Sequence, residues 1–283
     1  MPVISSSPSV VALGNRMYCF YQGAGRNSGG LWYAVWTGQY WENEQQVPGT
    51  TLTAGPSAVV FNNKIYCFHQ SGSGNGELWY NVFNGGLWEG DKQAPGITLS
   101  AGPSAVVFNN KIYCFHQSSG DTGNLLYNVL DGDHWEDEQV VPDTTLSAGP
   151  SAVVFGNYLY CFHQAIGHSS ELWYNILSAE GWQGDQRVTK TFLSAGPSAV
   201  NVLNNTLYCF HQGYNENGEL WYNFWTQNGW QDDQKMTASS MSDGPSAIFF
   251  QNVMYCFYRG QGNSGQLFYN TMVNGQWTGQ QEV

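Results

Sequence analysis

The chain has 283 residues, of which 16% are aromatic and only 11% are charged, and 34 are glycine. This composition favours many short strands joined by tight turns over helices or disorder. The formal net charge of −12 would repel phosphate backbones and anionic lipid heads, which argues against nucleic acid as a partner. Residues 1–6 lack the regions of a signal peptide, and no apolar run reaches the roughly 20 residues that span a bilayer. We expect a protein without membrane insertion that is cytoplasmic or exported without a signal peptide.

The sequence repeats itself six times with a period of about 47 residues. A Pro-Ser pair opens each copy at spacings of 48, 47, 47, 47 and 48 residues, and no linker interrupts the series. The approximate repeat bounds are 1–48, 49–95, 96–142, 143–189, 190–237 and 238–283. We therefore assign residues 1–283 to a single domain.

Each repeat predicts four strands. In the second repeat these are residues 56–61, 64–70, 77–83 and 87–93, separated by turn signals rich in Asn and Gly. Strands two and three are apolar or aromatic on both alternating faces, so each sheet needs cover on both sides, which stacked blades provide. The predicted fold class is all-β, a six-bladed β-propeller with one four-stranded antiparallel blade per repeat. We expect the ring to close by packing of blade six on blade one, without a shared strand.

The alternative fold is a pair of β-trefoils with three repeats each. It predicts a break between repeats three and four, whereas the interval from Pro150 to Pro197 is 47 residues like its neighbours. The trefoil signature Gln-x-Trp occurs once, at 39–41. The regular spacing therefore favours the propeller.

Several slots are identical in all six repeats, and we assign them to core packing. They are Pro-Ser, a Tyr-Cys-Phe triplet on strand two, a Leu and a Tyr on strand three, and a Trp on strand four. Equivalent cysteines in different repeats lie farther apart than the roughly 7 Å that a disulfide bridges, so we predict six buried free thiols. The cysteines are Cys19, Cys67, Cys114, Cys161, Cys209 and Cys256, and the tryptophans are Trp41, Trp88, Trp135, Trp182, Trp230 and Trp277.

Polar slots that recur are better candidates for function, because a core does not need them. His-Gln follows the Tyr-Cys-Phe triplet in four repeats, and strand three reads Glu-x-Trp-x-Asn in its fullest form. Side chains alternate along a strand, so Glu77, Trp79 and Asn81 share one face. A sugar stacks its C–H patches on such a ring and exchanges hydrogen bonds with nearby planar polar groups. An alternative interpretation is that these polar groups satisfy backbone atoms at strand ends.

The predicted sugar-binding residues are Trp32, Trp79, Trp173, Trp221, His69, His116, His163, His211, Gln22, Gln70, Gln117, Gln164, Gln212, Arg259, Glu77, Glu171, Glu219, Asn81, Asn128, Asn175 and Asn223.

Acidic residues also recur after the strand-four Trp, at Glu44, Asp91, Glu138, Asp185 and Asp233. Charges on the outer strand of a blade discourage edge pairing, and the chain has no Asp-x-Asp-x-Asp-Gly loop for calcium. We predict no metal, no cofactor and no catalytic residue.

Short motifs in every repeat resemble the bacterial propeller lectins related to the fucose-binding Photorhabdus-type lectins, and more loosely the tectonin-like and fungal fucose-binding propellers. The motifs are Ser-Pro-Ser-Val-Val-Ala at 7–12, Phe-Tyr-Gln-Gly at 20–23, Gly-Leu-Trp at 30–32, Trp41, and Asn-Gly-Glu-Leu-Trp at 75–79 and 217–221. The resemblance implies a multivalent lectin with sugar pockets between neighbouring blades, each lined by two repeats. Its partners would be glycans or glycoconjugates, and the oligomeric state, a dimer included, stays open.

Two differences separate this chain from those lectins. The bacterial proteins have seven blades, and their Phe-x-Arg-Gly motif is matched only by Phe-Tyr-Arg-Gly at 257–260. Gln takes the place of that Arg elsewhere, and the paired Arg and Glu of the fungal fucose pockets has no counterpart in the repeat.

Two other function classes compete with the lectin, a sialidase-like propeller enzyme and a protein-interaction propeller. Sialidases resemble one another in an arginine cluster, and this chain has only Arg16, Arg26, Arg187 and Arg259. Catalysis also needs carboxylates set apart in environment and role, whereas the acids here recur at equivalent slots. The fold alone would suit protein interaction equally well, but the Trp, Tyr, Asn and Gln enrichment favours sugars.

Overall fold

The computed structural model describes residues 2–120, 122–167, 170–262 and 265–283, and it consists of six antiparallel sheets whose first strands pack around a common axis. Each sheet, or blade, holds one repeat, so the predicted six-bladed β-propeller is confirmed. Two short 3₁₀ helices, Gly25–Asn27 and Tyr214–Glu216, lie in loops between second and third strands. No helix within the described ranges is long and apolar enough to cross a membrane.

The strands of blades 1 to 3 are β1 (Ser9–Leu13), β2 (Arg16–Gln22), β3 (Gly30–Trp36), β4 (Gln45–Thr51), β5 (Ser57–Phe61), β6 (Lys64–Gln70), β7 (Glu77–Phe83), β8 (Trp88–Thr98), β9 (Ser104–Phe108), β10 (Lys111–Gln117), β11 (Asn124–Asp131), β12 (His134–Trp135) and β13 (Gln139–Thr145). Those of blades 4 to 6 are β14 (Ser151–Phe155), β15 (Tyr158–Gln164), β16 (Glu171–Ser178), β17 (Gly181–Phe192), β18 (Ser198–Val202), β19 (Thr206–Gln212), β20 (Glu219–Thr226), β21 (Gly229–Trp230), β22 (Gln234–Ser240), β23 (Ser246–Phe250), β24 (Val253–Arg259), β25 (Leu267–Val273), β26 (Gln276–Trp277) and β27 (Gln281–Glu282).

The blades meet most closely at the axis, where the invariant Pro-Ser pairs lie. The hydroxyl of each of these serines accepts the backbone N–H of the next blade, as in the 2.9 Å bond from Ala58 N to Ser9 Oγ. The last bond runs from Val10 N to Ser246 Oγ at 3.1 Å, so the hydrogen bonds form a closed ring of six. A Cβ on Gly102 would lie 2.7 Å from the carbonyl oxygen of Gly55. The Gly before five of the six Pro-Ser pairs therefore lets two backbones approach where a side chain would not fit, and Ser7 takes this place in the first repeat.

Farther from the axis, the strand-four Trp of each blade packs against the preceding blade. The ring of Trp88 meets Phe20 edge-on, with centroids 5.9 Å apart and an interplanar angle of 86°, and its centroid lies 5.7 Å from that of Tyr33. The other junctions repeat this contact, with Trp135 on Phe68 and Tyr80, Trp182 on Phe115 and Tyr127, Trp230 on Phe162 and Tyr174, Trp277 on Phe210 and Tyr222, and Trp41 on Phe257 and Tyr269. These tryptophans do pack between blades, as predicted, but each of them is only half-buried.

The six cysteines also lie in the interfaces between blades. All six are buried and none forms a disulfide, as predicted. Burial raises the pKa of each thiol well above its ordinary value, so the thiols stay protonated and pack as small apolar groups.

The ring closes through a strand that both ends of the chain share, so the expectation of closure without a shared strand is wrong. Val3 pairs with Gln266, and the N–H of Ile4 donates to the carbonyl of Gly265 at 2.7 Å. Residues 281–282 form the other part of the same outer strand in blade 6. In the other blades the fourth strand continues toward the next blade, as where Thr51 pairs with Gly30 and Leu52 with Ser71. Residues 3–4 fill the equivalent positions in blade 6.

We predict that Trp182→Ala lowers the free energy of unfolding by about 3 to 5 kcal/mol, because it leaves the rings of Phe115 and Tyr127 without cover. The matched control is Tyr40→Ala, which removes a ring that is 60% exposed and should change stability by less than about 0.5 kcal/mol. Urea unfolding followed by far-UV circular dichroism measures both, and equal effects of the two substitutions would contradict the packing assignment.

Removing residues 1–4 should lower the free energy of unfolding by about 3 kcal/mol or more, because the fully buried Ile4 and the shared-strand hydrogen bonds are lost together. Val3→Ala is the control, since the side chain of Val3 is 42% exposed and its backbone bonds stay. Thermal unfolding and limited proteolysis report the difference, and a truncated chain as stable as the Val3→Ala variant would show that closure does not depend on this strand.

Candidate functional site

The four predicted histidines lie inside the blades rather than at an open surface. Their side chains are fully buried, and each Nε2 faces an acid on the fourth strand of its own blade. The shortest distance is 2.9 Å, from His211 Nε2 to Asp233 Oδ1, and burial lowers the pKa of His116. In repeats one and six the same slot holds a phenol, where Tyr21 donates to Glu44 and Tyr258 to Gln280. The recurring acids were expected to protect the edge of each blade. They instead face a buried imidazole or phenol of the same blade.

The glutamines after those histidines, and Gln22 after Tyr21, hold successive blades together. The side-chain amides of Gln22, Gln70, Gln117, Gln164 and Gln212 donate to the backbone carbonyls of Leu52, Leu99, Leu146, Leu193 and Met241. The guanidinium of Arg259 takes the sixth position, with Nε 2.8 Å from the carbonyl oxygen of Ile4. The Oε1 of Gln70 accepts the hydroxyl of Thr53 at 2.8 Å, so both ends of that amide already have partners. This matches the alternative interpretation, in which these polar groups satisfy backbone atoms.

The predicted asparagines are also buried, and three of them reach into the preceding blade. Asn81, Asn175 and Asn223 donate through Nδ2 to a threonine hydroxyl of the preceding outer strand, at 3.0, 3.0 and 2.6 Å. Asn128 differs, because its Oδ1 lies 3.0 Å from His116 Nε2 and its side chain lines a cavity described below.

The predicted Trp and Glu side chains of strand three are half-buried and reach solvent. The indole N–H of Trp79 donates to Glu77 Oε2 at 3.1 Å, and Trp221 donates to Glu219 in the same way. The bond from Trp79 holds the pKa of Glu77 below its usual value. Glu171 instead pairs with Arg187 at 3.0 Å, and repeat one has Gly30 in the Glu slot beside Trp32. Trp–Glu pairs of this kind therefore occur at the start of the third strand in blades 2 and 5.

Open space between blades lies elsewhere, beside the strand-four tryptophans. Cavities of about 390, 520 and 240 Å³ occur at the junctions of blades 6 and 1, 2 and 3, and 4 and 5. Their walls include Trp41, Trp135 and Trp230 respectively. The indole nitrogens of all three are buried rather than exposed to the cavities. The equivalent indole of Trp182 points at the hydroxyl of Tyr127 in the preceding blade, at 3.5 Å.

The cavity between blades 4 and 5 is mainly aromatic. Tyr160 and Tyr174 of blade 4 face Trp230 of blade 5, and the hydroxyl of Tyr174 donates to Gln186 Oε1 at 2.9 Å. The remaining walls are Phe155, Ile176, Leu207 and Trp225. Burial raises the pKa of Tyr160, so its phenol stays neutral and can both donate and accept. The cavity therefore combines aromatic faces with a few directional polar groups.

The cavities at the other two junctions are acidic. Glu42 and Glu44 line the one beside Trp41, and Glu136 and Glu138 line the one beside Trp135. In both blades the fourth strand is interrupted at these residues, which opens the space between blades. Within the described ranges no group of three His, Cys, Asp or Glu side chains is placed to hold a metal ion.

The residues that line these clefts were not predicted from the sequence. The strand-four tryptophans and the tyrosines of strands two and three never vary, and they were therefore assigned entirely to the core. The structure shows that most of them are only half-buried, and at three junctions the tryptophan borders a cavity. No signal within the repeat separates a fully buried aromatic slot from one at a cavity wall.

The blades also leave a cavity of about 600 Å³ at the axis, lined by Gly-Pro-Ser segments and by Ser5 to Ser7. Asp243 is its one carboxylate within the described ranges, and its Oδ1 accepts the hydroxyl of Ser7 at 2.9 Å. None of the four arginines lines this cavity.

Neither a protein-family model nor a curated protein matches the sequence. Solved structures with a similar fold include AofleA from Arthrobotrys oligospora, with a TM-score of 0.74 and 13% identity, covering 100% of this chain and 87% of that one. The Aleuria aurantia lectin, described as a six-bladed β-propeller with a novel fucose recognition mode, has a TM-score of 0.71 and 13% identity, covering 98% and 94%. The NanB sialidase of Streptococcus pneumoniae has a TM-score of 0.66 and 10% identity, covering 98% and 68%. At these identities the likeness establishes that the chain shares the propeller fold of these proteins.

Proposed function

We propose that this protein is a multivalent lectin that binds neutral sugars in the clefts between blades, beside the strand-four tryptophans. The observation that carries the proposal is the cavity between blades 4 and 5, where Tyr160, Tyr174 and Trp230 surround the amide of Gln186. Aromatic faces suit the C–H patches of a sugar, and the amide and phenol groups suit its hydroxyls. Similar contacts at the other junctions support several sites per chain.

The charge of the clefts supports neutral rather than acidic sugars. The residues that line the three cavities include no lysine or arginine, and two of the cavities carry glutamates. With a net charge of −12 as well, the chain would repel sialic or uronic acids. Fucose is a neutral sugar and the one named for the Aleuria aurantia lectin, so it is the first sugar to test.

Binding without cleavage is part of the proposal. A propeller that cleaves sialosides would need cations to hold the substrate carboxylate, and no arginine lines the axial cavity or the three clefts described here. Arg16 and Arg187 instead pair with Glu42 and Glu171, and Arg259 bonds to the backbone of Ile4.

A glycan array and isothermal titration with α-methyl fucoside and other neutral monosaccharides test the proposal. We expect Gln186→Ala to remove one site from the titrated number, because it deletes the amide and leaves the phenol of Tyr174 without its acceptor. Gln183→Ala is the matched control, since that glutamine lies on the same strand, is exposed and does not line the cavity. Absence of binding to any glycan at millimolar concentration would refute the lectin, and turnover of an aryl glycoside would show an enzyme.

Individual clefts should bind weakly, and a glycan-coated surface should be held roughly 10²- to 10⁴-fold more tightly than a free monosaccharide through effective concentration. Surface plasmon resonance on dense and sparse glycan chips measures this ratio, and agglutination of red cells gives a second readout. One tight site per chain, with the same affinity on both chips, would contradict multivalent binding.

A further inference from the structure

One junction of the propeller carries an exposed aromatic pair. Phe192 ends the fourth strand of blade 4, and Tyr214 lies in the loop between the second and third strands of blade 5. The two side chains are 42% and 46% exposed, and their ring centroids lie 6.0 Å apart. They sit outside the aromatic interfaces that hold the blades together.

The other junctions do not carry two aromatic side chains at these positions. At four of them the residues at the same two positions are hydrogen-bonded to each other, as in the 2.9 Å bond between Thr98 Oγ1 and Ser119 Oγ. The equivalent pairs are Val3 with Ala24, Thr51 with Gly72, Thr98 with Ser119, Thr145 with Ile166, and Ser240 with Gln261. The aromatic pair is therefore a departure from the repeat rather than a requirement of the fold.

The loop that carries Tyr214 is held in a defined conformation. Asn215 and Glu216 are left-handed, with φ of +60° and +50°, which non-glycine residues rarely adopt. The N–H of Glu216 donates to the hydroxyl of Ser194 at 3.2 Å, which ties the loop to the segment that follows Phe192. The two rings therefore lie on segments that are hydrogen-bonded to each other.

The loop that carries Tyr214 also lines a polar pocket of about 280 Å³ through Glu216. It lies between blades 5 and 6, and its walls include Glu216, Ser242, Asp243 and Gln261. Glu216 is two residues from Tyr214 and links the two features. An exposed aromatic platform beside hydroxyl, amide and carboxylate groups is the combination that suits a pyranose ring and its hydroxyls.

We propose that Phe192, Tyr214 and the adjoining pocket form a single extra subsite per chain, which binds a further residue of a neutral oligosaccharide. The inference rests on the proposed lectin function and adds to it a site that does not repeat. Glu216 and Asp243 disfavour anionic ligands. The exposed surface of two rings is much smaller than the roughly 800 Å² that each partner buries in a stable protein interface. This favours a sugar over a docked protein.

The test compares monosaccharides with oligosaccharides on wild-type protein and Tyr214→Ala. Isothermal titration uses three pairs of probes, α-methyl fucoside with 2′-fucosyllactose, N-acetylglucosamine with chitotetraose, and glucose with cellotetraose. For at least one pair we expect Tyr214→Ala to weaken the oligosaccharide about fivefold and to leave the monosaccharide unchanged, because neither Phe192 nor Tyr214 lines the cleft proposed for the monosaccharide.

Ile166→Ala is the matched control, since Ile166 occupies the same loop position in blade 4 and is 45% exposed. Tyr214→Phe keeps the ring and should retain wild-type affinity, and thermal unfolding confirms that each variant folds. If Gln186→Ala removes a monosaccharide site while Tyr214→Ala binds every oligosaccharide like wild type, the extra subsite is refuted and the lectin stands. If wild-type protein binds none of the probes and nothing on the glycan array, both proposals fall.

Discussion

Edge-on packing of one indole against the Phe and Tyr of the preceding blade is the contact on which the whole ring depends. Each sheet is apolar on both faces, so no blade can bury its aromatic residues alone. The six tryptophans cover six such faces, and Trp41 does so for blade 6, which makes the first and last repeats neighbours. Opening any one junction would expose two faces at once, and this explains why the Trp never varies. The strand shared by residues 3–4 and 281–282 fastens the junction where the chain itself does not run from one blade to the next.

The shape of a propeller makes the same tryptophan a cavity wall. Near the axis the backbones are so close that a Cβ on Gly102 would meet the Gly55 carbonyl at 2.7 Å, and serine hydroxyls bridge the remaining distance. Sheets that touch at the axis diverge toward the outside, so the gap between them widens along each blade. A tryptophan is the largest side chain available to fill this wedge, and at three junctions it leaves space beside it. Binding clefts between blades are thus a consequence of close contact at the axis.

Much of the fold could be predicted, because the same pattern of strands and turns occurs six times in the sequence. In blade 2 the predicted second and third strands, 64–70 and 77–83, match the structure. The fourth was predicted to end at residue 93 but continues to Thr98, past Pro95 and Gly96, because its last residue pairs with Glu77 across an irregular ladder. Proline and glycine weaken the sequence signal of a strand. Neither the extension of this strand nor the shared closing strand was therefore predicted.

The candidate site was less predictable, because the partners of its residues lie in other strands and other blades. Alternation correctly placed Asn81 with Trp79, yet only the tertiary structure shows that Asn81 bonds to Thr50 of the preceding blade. One signal was available for the histidines. Every repeat with His carries Asp or Glu in the strand-four slot, and the one uncharged residue in that slot, Gln280, occurs in a repeat with Tyr, as expected of a buried pair in contact.

Comparison of the six repeats distinguishes residues that the propeller fold requires from residues that it does not require. Slots that every blade fills with an equivalent contact, such as the Gln and Arg259 bonds to backbone carbonyls, are accounted for by assembly of the ring. A residue that departs in type from its slot and stays exposed is not required by packing in that type. Phe192 and Tyr214 contact each other, as the residues at these positions do at four other junctions, but no other described junction has two aromatic side chains there. In a chain whose repeats are so alike, the sites that distinguish one ligand from another are therefore to be sought at the positions where a single blade differs.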